Sequence, residues 1–469
     1  MKKRILAGIL VIVTVFSLCC CAAPGENPTT DPETNPSQTE STGSTETSQT
    51  TDTSESQDST QGTENTEPPL PEKEPLVQLG QIHITTNGSI YDEYSAAIVT
   101  AQWVGGGVVN QTVQIRHRGY TSNSTEKKSY NIKFEDKVDL MGMEEGKKWT
   151  LLGNPFDKSL LRIVVGFDFA ADIGIPYASQ AKLCKLWLNG VYKGIYVAIE
   201  PVDAKKGRVD IDTKTGAFIV ERNNTREEDG VTYIKTNAGI RYEMSDPDEP
   251  NAAQTAAALE ILNHVEKEVQ SLDHTRYEKV IDVASFVDFY IFEELVKDID
   301  FARFSTRYYY SEGLLYAGPP WDLDLSQGNT SGVYGEIVYK KYYNRDGYGD
   351  GSGDSASGFW AQKDYYQWLC KDPYFMDLVK TRWAEVSVLA HNLYEDNERG
   401  TNRIDEYLAA YQKDLESNYS KDGSHWPLGW PLGVLEYHDP ANDLEGNVEL
   451  YRSWLRRRVT WLDTALAVE

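Results

Sequence analysis

An α+β fold, sheet-rich in its first folded half and mainly helical in its second, is predicted by three observations. Between residues 83 and 134 short apolar segments alternate with a period of two. Asn189-Gly190 stands between two further alternating runs, and from residue 252 onward long stretches repeat their apolar side chains at helical spacing. Strands followed by helices, rather than strict alternation, give the α+β class.

The chain opens Met1-Lys2-Lys3-Arg4, continues with an apolar run from Ile5 to Leu18, and reaches Cys19-Cys20-Cys21. A basic start, a short apolar core and a small-residue exit mark an export signal over residues 1–21. The run is shorter than the roughly 20 residues that span a bilayer. Leucine, small residues and a cysteine have the form of a bacterial lipobox. Cys21 is then the lipidated residue, with Cys20 as the runner-up; an ordinary cleaved signal with incidental cysteines is the alternative. Two acyl chains would hold the protein on the outer face of the cell membrane. Residues 22–75 are Ser, Thr, Pro and acidic residues almost without apolar side chains. Such a segment cannot bury enough surface to offset its ordering entropy, so it is expected to be a disordered tether.

The formal charge is −26; +3 on residues 1–21 and −11 on residues 22–75 leave −18 on the remainder. A folded part this acidic is a poor partner for phosphate backbones, which excludes general nucleic-acid binding. Cys184 and Cys370 are the cysteines beyond the signal. They allow one pair but no disulfide framework and no CxxC metal site.

From residue 76, His83–Thr85, Ala96–Val99 and Val113–Arg116 read as strands. Ser129–Phe134 follows, with Tyr130, Ile132 and Phe134 on one face and Asn131 and Lys133 on the other. Asp157-Lys158-Ser159 opens a helix carrying Leu161, Val165, Phe169 and Ile173, ended by Gly174 and Pro176. Leu183–Leu188 and Val191–Ile199 form a hairpin about Asn189-Gly190, stopped at Glu200-Pro201. These elements make a first lobe, residues 76–202. The second, residues 203–469, holds helices over 252–271, 280–296, 359–393, 404–417 and 448–467, with a short hairpin over 306–316.

Three features recur where phosphoryl groups are transferred, a chemistry that needs a lysine for phosphates, carboxylates for magnesium and a carboxylate facing the acceptor. Lys133 lies on the strand Tyr-Asn-Ile-Lys, ahead of the first-lobe helix, as the Val-Ala-Ile-Lys lysine of protein kinases does. Asp300-Phe-Ala-Arg-Phe-Ser305 spaces an aspartate and an oxygen ligand as a kinase catalytic loop spaces its Asp and Asn. Trp321-Asp322-Leu323-Asp324 carries two carboxylates two residues apart, which face the same way if the segment is extended and would then give a compact set for a hard cation. Taken singly, each has a bland alternative: a solvated strand lysine, a helix-ending aspartate, an acidic turn.

Five ordered segments carry a more specific signal. They are Arg116-His-Arg118-Gly119, Lys127-Lys128-Ser-Tyr-Asn-Ile-Lys133-Phe134, Asp157-Lys-Ser-Leu-Leu-Arg162, Leu188-Asn-Gly190 through Gly194 to Glu200, and Gly318-Pro-Pro-Trp-Asp322-Leu-Asp324. Together they resemble the CotH family, named after a spore coat protein and regarded as atypical protein kinases. The resemblance spans residues 78 to 466. It implies a minimal kinase-like two-lobed fold that binds ATP and magnesium and phosphorylates serine on surface or coat proteins. It makes Asp300 the catalytic aspartate, Asp322 the main magnesium ligand, and Asp324 and Ser305 further ligands. Lys133, or Lys128 in its place, faces the phosphates. Arg118-Gly119 lies in the turn over the nucleotide, Glu200 marks the hinge beside adenine, and Arg162 partners a phosphate or an active-site carboxylate. This sequence departs from kinases in lacking a Gly-x-Gly-x-x-Gly loop, in having no Glu on the first-lobe helix, and in carrying Ser305 for Asn.

Two other readings compete. One is a non-catalytic surface adhesin or scaffold on the same fold, favoured if Asp300 and Asp322 lie far apart. The other is a carbohydrate-binding or carbohydrate-active protein, suggested by 29 Tyr, 11 Trp and paired carboxylates. Asp346, Asp350 and Asp354 in a Gly-rich stretch miss EF-hand spacing, and the seven histidines show no zinc pattern.

Overall fold

The computed structural model describes residues 77–119, 125, 127–224, 227–329, 356–418 and 444–468. The signal, the lipidation cysteines, the tether and the Asp346–Asp354 stretch lie outside the described residues. The described residues all fall within one compact unit.

Seven strands come first: β1 (Gly80–Thr86), β2 (Ser95–Trp103), β3 (Gly106–Arg118), β4 (Ser129–Val138), β5 (Gly146–Leu152), β6 (Ala181–Leu188) and β7 (Val191–Ile199). They close into a barrel in the order β1-β2-β3-β4-β5-β7-β6, with β1 parallel to β6 and every other pair antiparallel. The period-two pattern dictates this: Ile82, Ile84, Val99, Ile115, Ile132, Trp149, Leu186 and Tyr196 all point inward to one apolar core. Tyr130, Ile132 and Phe134 share the inner face as their alternation requires, and Lys133 is exposed on the outer one. Asn189 and Gly190 adopt φ of +50° and +77°, the two positive angles the Asn-Gly turn demands. Helix α1 (Arg162–Asp172) lies between β5 and β6.

The second region adds β8 (Phe218–Asn223), β9 (Tyr233–Lys235), β10 (Arg241–Asp246), β11 (Phe304–Ser311) and β12 (Leu314–Ala317), in the sheet order β12-β11-β8-β10-β9. Against it pack α2 (Ala252–Gln270), α3 (His274–Tyr277), α4 (Val283–Val296), α5 (Tyr366–Leu369), α6 (Pro373–His391), α7 (Arg403–Asn418) and α8 (Leu444–Ala465). Helix α2 begins at a full capping box between Asn251 and Gln254.

Sequence periodicity misses four strands. β5 is short and reads Lys-Lys-Trp-Thr, while β8, β9 and β10 are too brief and mixed to stand out. The helix expected over 359–393 is in fact two: Trp360 and Ala361 donate their N–H groups to Glu294, and α6 starts at Asp372-Pro373, where Asp caps and Pro fits the first turn. Cys184 lies inside the barrel and Cys370 packs on the second core, so both are free thiols.

Candidate functional site

The carboxylates of the two sequence motifs come together. Asp300 follows α4, separated from it by Lys297, whose φ of +46° turns the chain out of the helix. Asp322 and Asp324 follow β12 and the Gly318-Pro319-Pro320 turn. Ser305 Oγ donates to Asp322 Oδ2 at 3.3 Å, tying the two loops together. Ser305 and Asp322 hold left-handed φ values of +58° and +62° although neither is glycine. Such conformations cost of order 1–3 kcal/mol each and gather where function requires them.

Around these groups negative charge outweighs positive. Burial, then the charges of Asp322 and Asp300, push the half-buried Asp324 carboxyl well above the usual range, while Arg118 draws it back. Asp298, 3% exposed, is pushed up by burial, then by Glu293 and Asp300. Its Oδ1 accepts the N–H of Asp300 at 3.1 Å. Glu293 behind it is also raised by burial, and its Oε2 lacks a hydrogen-bond partner. Arg303 Nη1 lies 3.3 Å from Asp300 Oδ1. Arg118 and Arg307 cover Trp321 at 5.1 and 5.0 Å from its ring, and Arg307 pairs with Glu221 at 2.6 Å.

Arg162 is brought close but is already committed. It pairs with Asp157 at 2.6 Å, both side chains being buried, and its Nε donates to the carbonyl of Gln327. The carboxylate it pairs with is Asp157, not one of the clustered Asp300, Asp322 and Asp324. Asp157 also accepts the N–H of Arg162 and that of Ser159, capping a helix that starts at Arg162 rather than at Ser159.

The lysines are distributed differently from the expectation. Lys133 sits on the fourth strand, and β5 intervenes before α1. The strand ahead of the helix carries Lys148, directly opposite Lys133 in register and paired with Asp203 at 3.2 Å. Lys127 is the deeply buried one. Its Nζ donates to the Ile195 carbonyl at 2.7 Å, and burial pulls its pKa down to about 7, against the nearby Cys184 and Asp157. Lys128 is half-buried beside His117.

Glu200 ends β7 as expected, but its groups are used internally. Its N–H donates to the Gln180 carbonyl, and its carboxylate accepts from Gln180 N and pairs with Arg208 at 2.8 Å. It lines a cavity of about 310 Å³ together with Tyr177, Ser179 and Arg208. Gly119, with φ +99°, closes β3; residues 120–124 of that turn are not described.

Asp298, Arg303, Glu221 and the Gln327–Asn329 segment were not singled out from sequence. The available signals were local: Asp298 stands two residues before Asp300, and Gln327-Gly328-Asn329 directly follows the acidic pair. The aromatic side chains that suggest sugar binding go largely to the core, with Trp149, Trp360, Trp454, Tyr242, Tyr290 and Tyr308 fully buried.

A closed seven-stranded barrel joined to a helical region, with a cluster of carboxylates, defines an α+β protein with an acidic site. The chain belongs to the CotH family: the family model described as CotH kinase protein matches residues 115–462. Strands β1 and β2 precede that match. No curated protein matches the chain. Among the described residues no helix is long and apolar enough to cross a membrane.

Proposed function

We propose that this protein is a kinase of CotH type, transferring phosphoryl groups from ATP to serine or threonine of surface or coat proteins. The observation that supports it is the convergence of Asp298, Asp300, Asp322 and Asp324, with Arg118 as a counter-charge to Asp324. The family match supports this reading, although the first region is a closed seven-stranded barrel whose helix follows β5 and not the strand that carries Lys133.

The donor set fits a hard cation. Carboxyls forced upward by one another and by burial gain most from a divalent charge among them. Among the described residues no group of three or more His, Cys, Asp or Glu could hold a metal ion, so the proposal rests on magnesium's need for only one or two carboxylates. Asp322 and Asp324 would hold it, with Ser305 steadying Asp322. When bound, Mg·ATP supplies the phosphoryl group and the metal charge that neutralises it.

The remaining work falls to this chain. Asp300, 22% exposed, accepts the acceptor hydroxyl proton while Arg303 and the N–H contact to Asp298 fix its orientation. Arg118 supplies positive charge from the barrel side. Glu200 would mark the hinge beside adenine; its backbone N–H already donates to the Gln180 carbonyl. Export and a lipid anchor at Cys21 or Cys20 would place the reaction on the outer cell surface.

Calorimetric titration of the full chain with ATP, with and without magnesium, tests this beside Asp322→Ala. Magnesium-dependent binding that the substitution weakens at least tenfold is expected. A folded wild type that binds no nucleotide would leave the scaffold reading in its place.

A further inference from the structure

The loop that carries the acidic pair is gripped from behind by two helices distant from it in sequence. Gly166 of α1 approaches so closely that a Cβ there would lie 2.7 Å from Leu323 Cδ1 and 3.1 Å from Gln327 Nε2. On the other side a Cβ at Gly328, φ +77°, would fall 2.5 Å from the Trp454 ring of α8. Between them Gln327, buried and with φ +52°, bonds through both ends of its amide. Its Nε2 donates to the Arg162 carbonyl at 2.8 Å and to Ser326 Oγ at 3.1 Å. Ser326 Oγ donates in turn to the carbonyl of Leu323, the residue between the two aspartates, at 2.7 Å. Asn329 Nδ2 bridges the Asp324 carbonyl, at 2.6 Å, and that of Phe156, at 3.0 Å.

One hydroxyl sets the direction of this relay. Tyr451 of α8, fully buried, donates to Gln327 Oε1 at 2.5 Å, and its ring lies 4.6 Å from the Arg162 guanidinium carbon. A flipped amide would set its oxygen against the Arg162 carbonyl, acceptor against acceptor, whereas the observed orientation satisfies both ends.

We infer that Tyr451 is a positioning residue for the metal-binding loop: the C-terminal helix orients Asp322 and Asp324 through Gln327, Ser326 and the Leu323 carbonyl. The inference rests on the kinase reading for the metal's purpose, but the coupling is a property of the fold. Tyr451→Phe keeps the ring on Arg162 and removes the hydroxyl alone. Tyr407→Phe is the control, because Tyr407 of α7 donates at 2.8 Å to Asp168, away from this relay.

Two readouts decide it on the full chain. Hydrogen exchange at the Gln327 and Asn329 amides, which donate to the Val296 and Ser326 carbonyls, should quicken about five- to tenfold in Tyr451→Phe, the loss of one net hydrogen bond. Manganese alone, titrated by its paramagnetic signal, should require a similarly higher concentration for half-saturation. Tyr407→Phe should move neither. Unchanged exchange in Tyr451→Phe, or equal changes in both variants, overturns the inference. If wild type binds no manganese while exchange responds as expected, the coupling stands and the kinase reading falls.

Discussion

The barrel and the region that follows it bury their side chains by opposite rules. Inside the barrel, Ile82, Val99, Ile115, Ile132 and Leu186 meet as an apolar core of one kind. The second region buries Asp298, Glu293, Glu294, Arg222, Asp364 and Arg458 among its aromatics. Some of these charges are fully paired, as in Arg222–Asp364 at 2.8 Å and Arg458–Glu294 at 2.7 Å. Others, near Asp300 and Asp322, repel one another. The barrel is therefore stabilised by area removed from water, whereas the second region depends on geometry that places each charge opposite a partner. The places where pairing fails are the places to look for a ligand.

The largest effect should come from Arg458. Both it and Glu294 are inaccessible to solvent, and Arg458 also donates to the carbonyls of Glu294, Ala356 and Gly358. Arg458→Ala would leave a buried carboxylate without its charge partner and remove a donor from three carbonyls, costing about 3–5 kcal/mol. Ile132→Val inside the barrel should cost only about 1 kcal/mol. Urea unfolding of the two variants measures the contrast; similar losses would erase the distinction between the regions.

Lys127 is a buried charge on the barrel side and gives the next largest effect. Its pKa is pulled down to about 7, chiefly by burial. Between pH 7 and the ordinary lysine value the unfolded chain holds a proton that the folded chain lacks, so wild-type stability rises with pH across that window. Below pH 7 both states are charged and the full penalty applies. Lys127→Met should gain about 1–2 kcal/mol at pH 6, after allowing for the lost bond to Ile195, and the gain should shrink by pH 9.5. A gain independent of pH would show that Lys127 is not buried as a neutral amine.

The barrel's alternation was legible because each strand buries one face, so the period-two signal survives in Tyr130, Ile132 and Phe134. Its closure was not: the parallel pairing of β1 with β6 depends on residues about 100 positions apart. The carboxylates were legible as types at the right spacing, and Ser305, five residues after Asp300, does bond Asp322. The cations were not, because a lysine's role depends on which face its strand turns outward. Lys133 and Lys127 carry the same side chain a few residues apart, yet one is exposed and the other sealed. Nor could sequence show that Arg162 is consumed by Asp157, since each charge alone suggests a ligand site.

The smallest predicted effect tests the seam between the two regions. Lys148 of the barrel pairs with Asp203, and the N–H of the next residue, Ala204, donates at 3.0 Å to Asp246 at the end of β10. Burial, then the charges of Asp203 and Asp248, raise the Asp246 carboxyl to about 7, against the pull of the Ala204 bond. The folded chain thus keeps a proton that the unfolded chain releases between about pH 4 and pH 7, so this group lowers stability as pH rises through that interval. Asp246→Asn keeps an acceptor for Ala204 and cannot ionise. Relative to wild type it should be nearly neutral at pH 4.5 and about 1 kcal/mol more stable at pH 8, a modest figure because solvent screens the partly exposed seam. Denaturation midpoints at the two pH values read this directly. An equal difference at both would mean that Asp246 ionises normally, and that charge is tolerated at the seam as it is on the barrel's outer face.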